Sequence, residues 1–194
     1  HMRCLVTGCA GFIGSHLTEA LLAQGHEVVG VDAFTATYDR WIKEGNLLKV
    51  RGERSFHLVE ANLAEAPLAH LIDGIDVVFH LAGEPGVRQS WGDRFRTYVS
   101  NNILATERLL GVCVDRPLLR FVYAGSSSVY GDAPDMPWSE TTCPQPRSPY
   151  AISKLAAEHL CNTYHLSYGV PITVLRYFTV YGPRQRPDMA FHRW

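Results

Sequence analysis

The stretch Thr7-Gly8-Cys9-Ala10-Gly11-Phe12-Ile13-Gly14 constrains this chain more than any other. It follows an apolar run at 3–7 and opens an amphipathic run at 12–24 that stops at Gly25. Three glycines placed as GxxGxxG between a strand and a helix each have a task. Gly8 permits the tight turn off the strand, Gly11 lets the backbone approach a pyrophosphate, and Gly14 lets the helix pack close to the sheet. The helix N-terminus then offers unpaired N–H groups and partial positive charge to an anion. A glycine triplet alone says little, but Asp32 closes the next predicted strand, 18 residues after Gly14. A carboxylate there accepts from both hydroxyls of an adenosine ribose and repels a 2′-phosphate, so the pattern predicts NAD rather than NADP. The alternative, a glycine turn beside a surface Asp, does not account for the order strand, glycines, helix, strand, acid. Cys9, within the loop, reads as a small residue fitted to a tight turn rather than as a reactive thiol.

The rest of the chain repeats that alternation. Strands are predicted at 3–7, 27–32, 56–60, 76–81, 120–126 and 172–177, and helices at 12–24, 95–115 and 149–168. The first, fourth and sixth strands are near-continuous apolar runs, as strands buried on both faces of a parallel sheet must be. Strands alternating with helices imply an α/β fold, a doubly wound parallel sheet. The helix at 95–115 sets Val99, Ile103, Thr106, Leu110 and Cys113 on one face. Residues 132–149 carry five prolines and read as one long loop, a length usually tied to function. The polar end suggests a cofactor domain over 1–181 followed by the start, at 182–194, of a substrate domain that is otherwise missing. With 46 % apolar residues and a net charge of −1, disorder and nucleic-acid binding are both disfavoured. No apolar run is long enough to span a membrane. Five cysteines without a CxxC pair argue against a metal site or a disulfide framework and suit a reducing cytoplasm.

Two further segments carry chemistry. One is Ser126-Ser127-Ser128-Val129-Tyr130-Gly131, at the end of the fifth predicted strand; the other is Tyr150-Ala151-Ile152-Ser153-Lys154, in the last predicted helix. Tyr150 and Lys154, four apart, share one helix face. An ammonium near a phenol lowers the phenol's pKa and makes it a usable base near neutral pH. The Ser126 hydroxyl, at a strand's C-terminal edge, could donate to the same substrate oxygen. A chance surface pair is the alternative for a lone Tyr and Lys.

With these residues in this order, the chain resembles the extended short-chain dehydrogenase/reductases over essentially its whole length, in the NAD-dependent nucleotide-sugar epimerase/dehydratase group. The matching motifs are the TGxxGFIGSHL loop, Asp32, Phe79-His80-Leu81-Ala82-Gly83, Asn101-Asn102, SSSVYG, YxxxK and Leu175-Arg176-Tyr177-Phe178. The resemblance implies a Rossmann-type fold with NAD on the glycine loop (Gly8, Gly11, Phe12, Ile13, Gly14). It places Leu81 and Ala82 along the cofactor cleft, Asn101 at the cofactor, and Tyr177 near the nicotinamide. Asn62-Leu63 falls at the adenine, with Asn62 in place of the usual Asp and its amide oxygen able to accept from the adenine amino group. His80 is expected to be structural. Tyr150 is implied as the base, with Ser126 steadying the sugar O4 and Lys154 holding the nicotinamide ribose and tuning Tyr150.

The resemblance also narrows the reaction. Related 4,6-dehydratases and decarboxylases carry Glu two residues before the Tyr of VYG; this chain has Ser128, which favours a 4-epimerase. The segment Thr179-Val180-Tyr181-Gly182-Pro183-Arg184-Gln185-Arg186-Pro187-Asp188-Met189-Ala190 is similar to that of UDP-glucuronate 4-epimerases. There Arg186 would fork onto the hexuronate carboxylate, with Thr179 beside it. The alternative is a solvated basic loop holding Arg184 and Arg193. Arg88, in a GVR segment, is expected to approach phosphate or sugar, although Glu84-Pro85 before it departs from the usual pair. Ser127 and Ser128 join the implied substrate site. A homodimer formed through the helices at 95–115 and 150–168 is implied as well. Other readings are a UDP-glucose or UDP-N-acetylhexosamine epimerase, a UDP-glucuronate decarboxylase, or a non-catalytic NAD sensor. An intact Ser126, Tyr150 and Lys154 set argues against the sensor.

Overall fold

The computed structural model describes residues 1–134, 136–187 and 189. Asp188, Ala190 and Arg193 of the motif and the basic loop fall outside the described residues. Six strands, β1 (Arg3–Thr7), β2 (Glu27–Asp32), β3 (Phe56–Glu60), β4 (Val77–His80), β5 (Arg120–Ser126) and β6 (Ile172–Tyr177), form one sheet in the order β3-β2-β1-β4-β5-β6. Every pairing is parallel. Only β4 is shorter than its sequence pattern. Asp76 is taken up by Arg3, whose N–H donates to the carboxylate at 2.7 Å, and Leu81 N–H turns to the Thr7 side chain at 3.2 Å.

Strand alternation divides the core in two. Cys4 and Val6 of β1 pack with Val28, Phe56 and Leu21, the last from helix α1 (Phe12–Ala23). Leu5 faces the other way, toward Val29, Val31, Val78 and Phe121 and the helices α4 (Ala105–Cys113) and α5 (Pro149–Tyr168). Helix α5 has the ends its sequence foretells. Ser148 Oγ accepts from Ala151 N–H at 3.0 Å, Pro149 starts the helix, and Gly169 closes it at φ +71°.

The segment expected to be one helix at 95–115 is instead three pieces: α3 (Phe95–Tyr98), a π-helical turn (Val99–Leu104) and α4. The π turn holds one residue more per turn than an α-helix. The buried face therefore runs through Tyr98 and Asn102, and not Val99 and Ile103, before rejoining Thr106, Leu110 and Cys113. Val99 is 38 % exposed. A short helix the sequence reading did not place, α2 (Arg40–Asn46), lies against the glycine loop, where Asn46 Nδ2 donates to Ala10 O at 2.9 Å. Among the described residues, no helix is long and apolar enough to cross a membrane.

Candidate active site

The strand order reverses between β1 and β4, so their C-terminal ends leave a crevice where open α/β sheets bind ligands. Thr7 and His80 end these strands in register. Thr106 Oγ1 donates to Asn102 O at 2.7 Å, so at 2.9 Å it accepts from His80 Nε2–H. The Thr7 hydroxyl then donates to Nδ1 at 2.8 Å, while its oxygen takes the Leu81 and Ala82 N–H groups at 3.2 and 3.1 Å. Burial, then the nearby Lys154 ammonium, pushes the imidazole down to about 3. His80 is thus a neutral tie between two strands, with both nitrogens engaged.

A cleft of about 480 Å³ opens above this tie. Gly8, Gly11, Phe12, Ile13 and Gly14 form one wall. A Cβ on Gly14 would stand 2.1 Å from Gly8 O, and one on Gly8, at φ +70°, 2.9 Å from Ala82 N. No side chain caps α1 and no acid sits in its first turn, so its leading N–H groups are left for an anion in the cleft. Asp32 accepts from Ala10 N–H at 3.0 Å and Phe34 N–H at 2.9 Å, one bond per oxygen. Each oxygen keeps lone-pair capacity for a diol. The cleft is thus shaped for a dinucleotide: anion donors at a helix end, a carboxylate a strand away, and apolar Leu63 and Leu81 between. Asn62 lines it too, but its amide oxygen already accepts from Ala64 N–H at 3.0 Å, so only one lone pair remains for an adenine amino group. Cys9 is fully buried against Gly30, and burial raises its thiol far above the usual range, which makes it inert.

Two charged residues of the cleft, Lys43 and Glu84, were given no role by the sequence reading. Lys43 Nζ donates to Thr35 O at 3.0 Å and to Thr35 Oγ1 at 3.3 Å. Burial lowers its pKa, against the opposing pull of Asp32 and Glu84. The Glu84 carboxylate is buried, receives the Thr37 hydroxyl at 3.3 Å, and has Arg94 at 3.8 Å. The Arg40–Glu44 spacing, a helix-stabilising i,i+4 pair, was the one local signal for α2, which carries Lys43. Asn101 lines the cleft, while its neighbour Asn102 braces the turn behind it. Asn102 accepts from Glu84 N–H at 2.6 Å and donates to Ser153 Oγ at 2.9 Å.

At the other end, Ser126 closes β5 beside Tyr177 of β6. Ser126 Oγ accepts from Ser128 N–H at 3.2 Å, capping a short 3₁₀ turn over Ser127–Val129. The structure brings Ser126, Ser127, Ser128, Tyr150, Lys154, Tyr177, Thr179 and Arg186 into the lining of the same cleft. Tyr150 meets the buried Tyr98 ring edge-on at 6.2 Å, and Tyr98 Oη is 2.9 Å from both Pro85 O and Gly86 O. Arg88 is not among the lining residues: it is exposed, in a 3₁₀ turn, and its neighbour Val87 reaches the cleft instead.

Burial raises the Tyr150 pKa, and the Ser126 hydroxyl and then the Arg186 guanidinium pull it back. The Lys154 ammonium lies 4.7 Å from the centre of the Tyr123 ring, and burial pushes it down to about 8. The i,i+4 spacing puts both residues on one helix face, and both line the cleft.

Residues 4–193 match the model of the NAD-dependent epimerase/dehydratase family. The chain belongs to that family. One member, an uncharacterized UDP-glucose epimerase (YtcB) of Bacillus subtilis, is 51 % identical, the match covering 99 % of this chain and 61 % of that protein. UDP-glucuronate 4-epimerase 1 of Arabidopsis thaliana is 44 % identical, over 96 % of this chain and 44 % of its own length. Among solved structures, the UDP-glucuronic acid 4-epimerase of Bacillus cereus in complex with UDP-glucuronic acid and NAD superposes with a TM-score of 0.96 at 49 % identity, over 99 % of this chain and 61 % of that one. The chain thus spans about three fifths or less of the length of these family members.

Proposed function

We propose that this chain is the cofactor-binding and catalytic part of an NAD-dependent UDP-glucuronate 4-epimerase, interconverting UDP-glucuronate and UDP-galacturonate. The observation that carries the reading is the placing of Arg186 and Thr179 in the same cleft as Ser126 and Tyr150, with Ser128 where a dehydratase or decarboxylase would carry an acid. The glycine loop and Asp32 would hold the cofactor, the carboxylate favouring NAD over NADP. When bound, the nicotinamide supplies the hydride acceptor and donor at the sugar C4.

The chain's own residues do the rest. Tyr150, as phenolate, takes the O4 proton as the C4 hydroxyl becomes a ketone, and returns it once the sugar has presented its other face. Ser126 steadies O4. Lys154 meets the nicotinamide ribose. A 4-keto hexuronate is a β-keto acid and loses CO₂ when its carboxylate bond aligns with the carbonyl π system. Arg186, forked onto the carboxylate with Thr179, holds that bond out of alignment. The test is to incubate the full-length protein with UDP-glucuronate and identify the sugars formed. UDP-galacturonate is expected; a pentose product would make the protein a decarboxylase. Turnover of UDP-glucose alone would make it the UDP-glucose epimerase that one relative's name suggests.

A homodimer forms part of the same proposal. Val99, Leu104 and Ile152 are between 38 and 50 % exposed on the π turn and α5, an apolar face suited to a second copy. A monomer in light scattering at micromolar concentration would count against it. The free thiols, four of five buried, support a reducing cytoplasmic setting.

A further inference from the structure

Arg184 and Arg186 are two cations in one polar segment, and the sequence assigns no task to the first. The structure gives them opposite jobs. Arg186 lines the cleft; Arg184 is not among the lining residues and grips α1 instead. Its guanidinium pairs with Glu19 and donates to Ser15 Oγ at 3.2 Å. The two side chains of the ion pair are only 17 and 23 % exposed, which sets this pair apart from surface bridges that contribute little. Lys49 stands 3.8 Å from the other Glu19 oxygen. One turn earlier on α1, His16 Nε2 lies 3.0 Å from Pro183 O. Gly182, at φ +145°, rides over the Phe12 ring, a Cβ there coming within 3.8 Å of it.

The segment is also closed on itself. Gln185 is buried, its N–H donates to Gly182 O at 3.2 Å, and its Nε2 to Val180 O at 3.4 Å. Arg184 itself holds φ +68°, a backbone region that non-glycine residues seldom occupy and that its neighbours must hold in place. The result is a short bridge with one foot on β6 and the other on α1, carrying Thr179 at one end and Arg186 at the other.

We propose that Arg184, through Glu19, is a positioning residue for Arg186: it locks the substrate-facing loop onto the helix whose N-terminus forms the cofactor wall. The consequence for sugar choice rests on the reading of Arg186 as the carboxylate contact. The lock itself does not, and the two are tested separately.

The variants are Glu19→Gln, which keeps shape and removes charge, Arg184→Ala, and the exchange Glu19→Arg with Arg184→Glu. All are made in the full-length protein. The first readout is amide hydrogen exchange over 180–187, expected to rise about tenfold or more in both single variants, relative to β1 and α5, and to recover in the exchanged pair. The second is steady-state kinetics. KM for UDP-glucuronate should rise roughly tenfold with little change in kcat, while UDP-glucose and NAD binding stay within about twofold. Unchanged exchange at 180–187 in both single variants would overturn the lock. Raised exchange with equal losses for both sugars, not recovered by the exchanged pair, would overturn the positioning role. If the parent protein turns over UDP-glucose but not UDP-glucuronate, the function proposal fails, and hydrogen exchange still decides whether the lock exists.

Discussion

Replacing Lys154 by Met is expected to stabilise the cofactor-free protein while abolishing its activity. The ammonium is buried and its pKa falls from 10.5 to about 8, chiefly through loss of water. At neutral pH the group is charged in both the folded and unfolded chain, and the folded chain bears the whole penalty, about 3 kcal/mol at 1.36 kcal/mol per power of ten. Met fills similar space with no charge but loses the attraction to the Tyr123 ring, worth roughly 0.5–2 kcal/mol. The net gain at pH 7 is therefore about 1–3 kcal/mol.

The pH dependence has a definite sign. Between about 8 and 10.5 the unfolded chain keeps a proton on Lys154 that the folded chain has released, so the parent gains stability as pH rises through that window. Its deficit relative to the Met variant should close there. Cys4 and Cys113, raised by burial to about 11 and 12, push the other way above pH 9 but are common to both proteins and cancel. Cys161, also raised to about 12 but pulled down by Lys154, does not, so both proteins carry Cys161→Ala and the difference isolates the lysine. Urea denaturation at pH 7, 8.5 and 10, after cofactor removal, measures it. A Met variant less stable than the parent at pH 7, or a difference that stays flat from pH 7 to 10, would refute the reasoning.

Tyr150→Phe keeps the ring against Tyr98 and removes the ionisable oxygen; turnover should fall roughly 10²–10⁴-fold while NADH fluorescence reports near-normal cofactor binding. Arg186→Ala should lower kcat/KM for UDP-glucuronate by a charge-assisted pair, about 1.5–3 kcal/mol or ten- to more than a hundredfold, with less than about threefold loss for UDP-glucose; equal losses would remove the carboxylate assignment. Gly14→Ala drives a methyl to 2.1 Å from Gly8 O, so thermal unfolding should shift down by several degrees and NAD titration should show weakened binding.

What could be read from the sequence was what neighbouring residues decide among themselves. β1 is a run of side chains buried on both faces, and the glycines after it stand where backbone meets backbone; both facts are local. The caps Ser148, Pro149 and Gly169 announce α5 for the same reason. What depends on distant partners was silent. Lys154 leans on Tyr123, 31 positions earlier, so the spacing from Tyr150 gave its helix face but not its direction. Lys43 reaches the cleft from α2 and Glu84 from the loop after β4, and Arg184 finds Glu19 across 165 residues. No window of sequence contains both members of such a pair.

A single extra residue inside a helix ordinarily throws every side chain beyond it out of place by about 100°. In the π turn at Val99–Leu104 that displacement is put to use. Below it, Ala105, Leu109 and Cys113 lie in the buried apolar core. Above it, the same helical rod presents Tyr98 to the carbonyls of Pro85 and Gly86, and the turn itself presents Asn102 to Glu84. One rod thereby serves as a beam of the building at one end and a door frame at the other. Removing the extra residue would restore a regular helix and leave the door frame facing the wrong way.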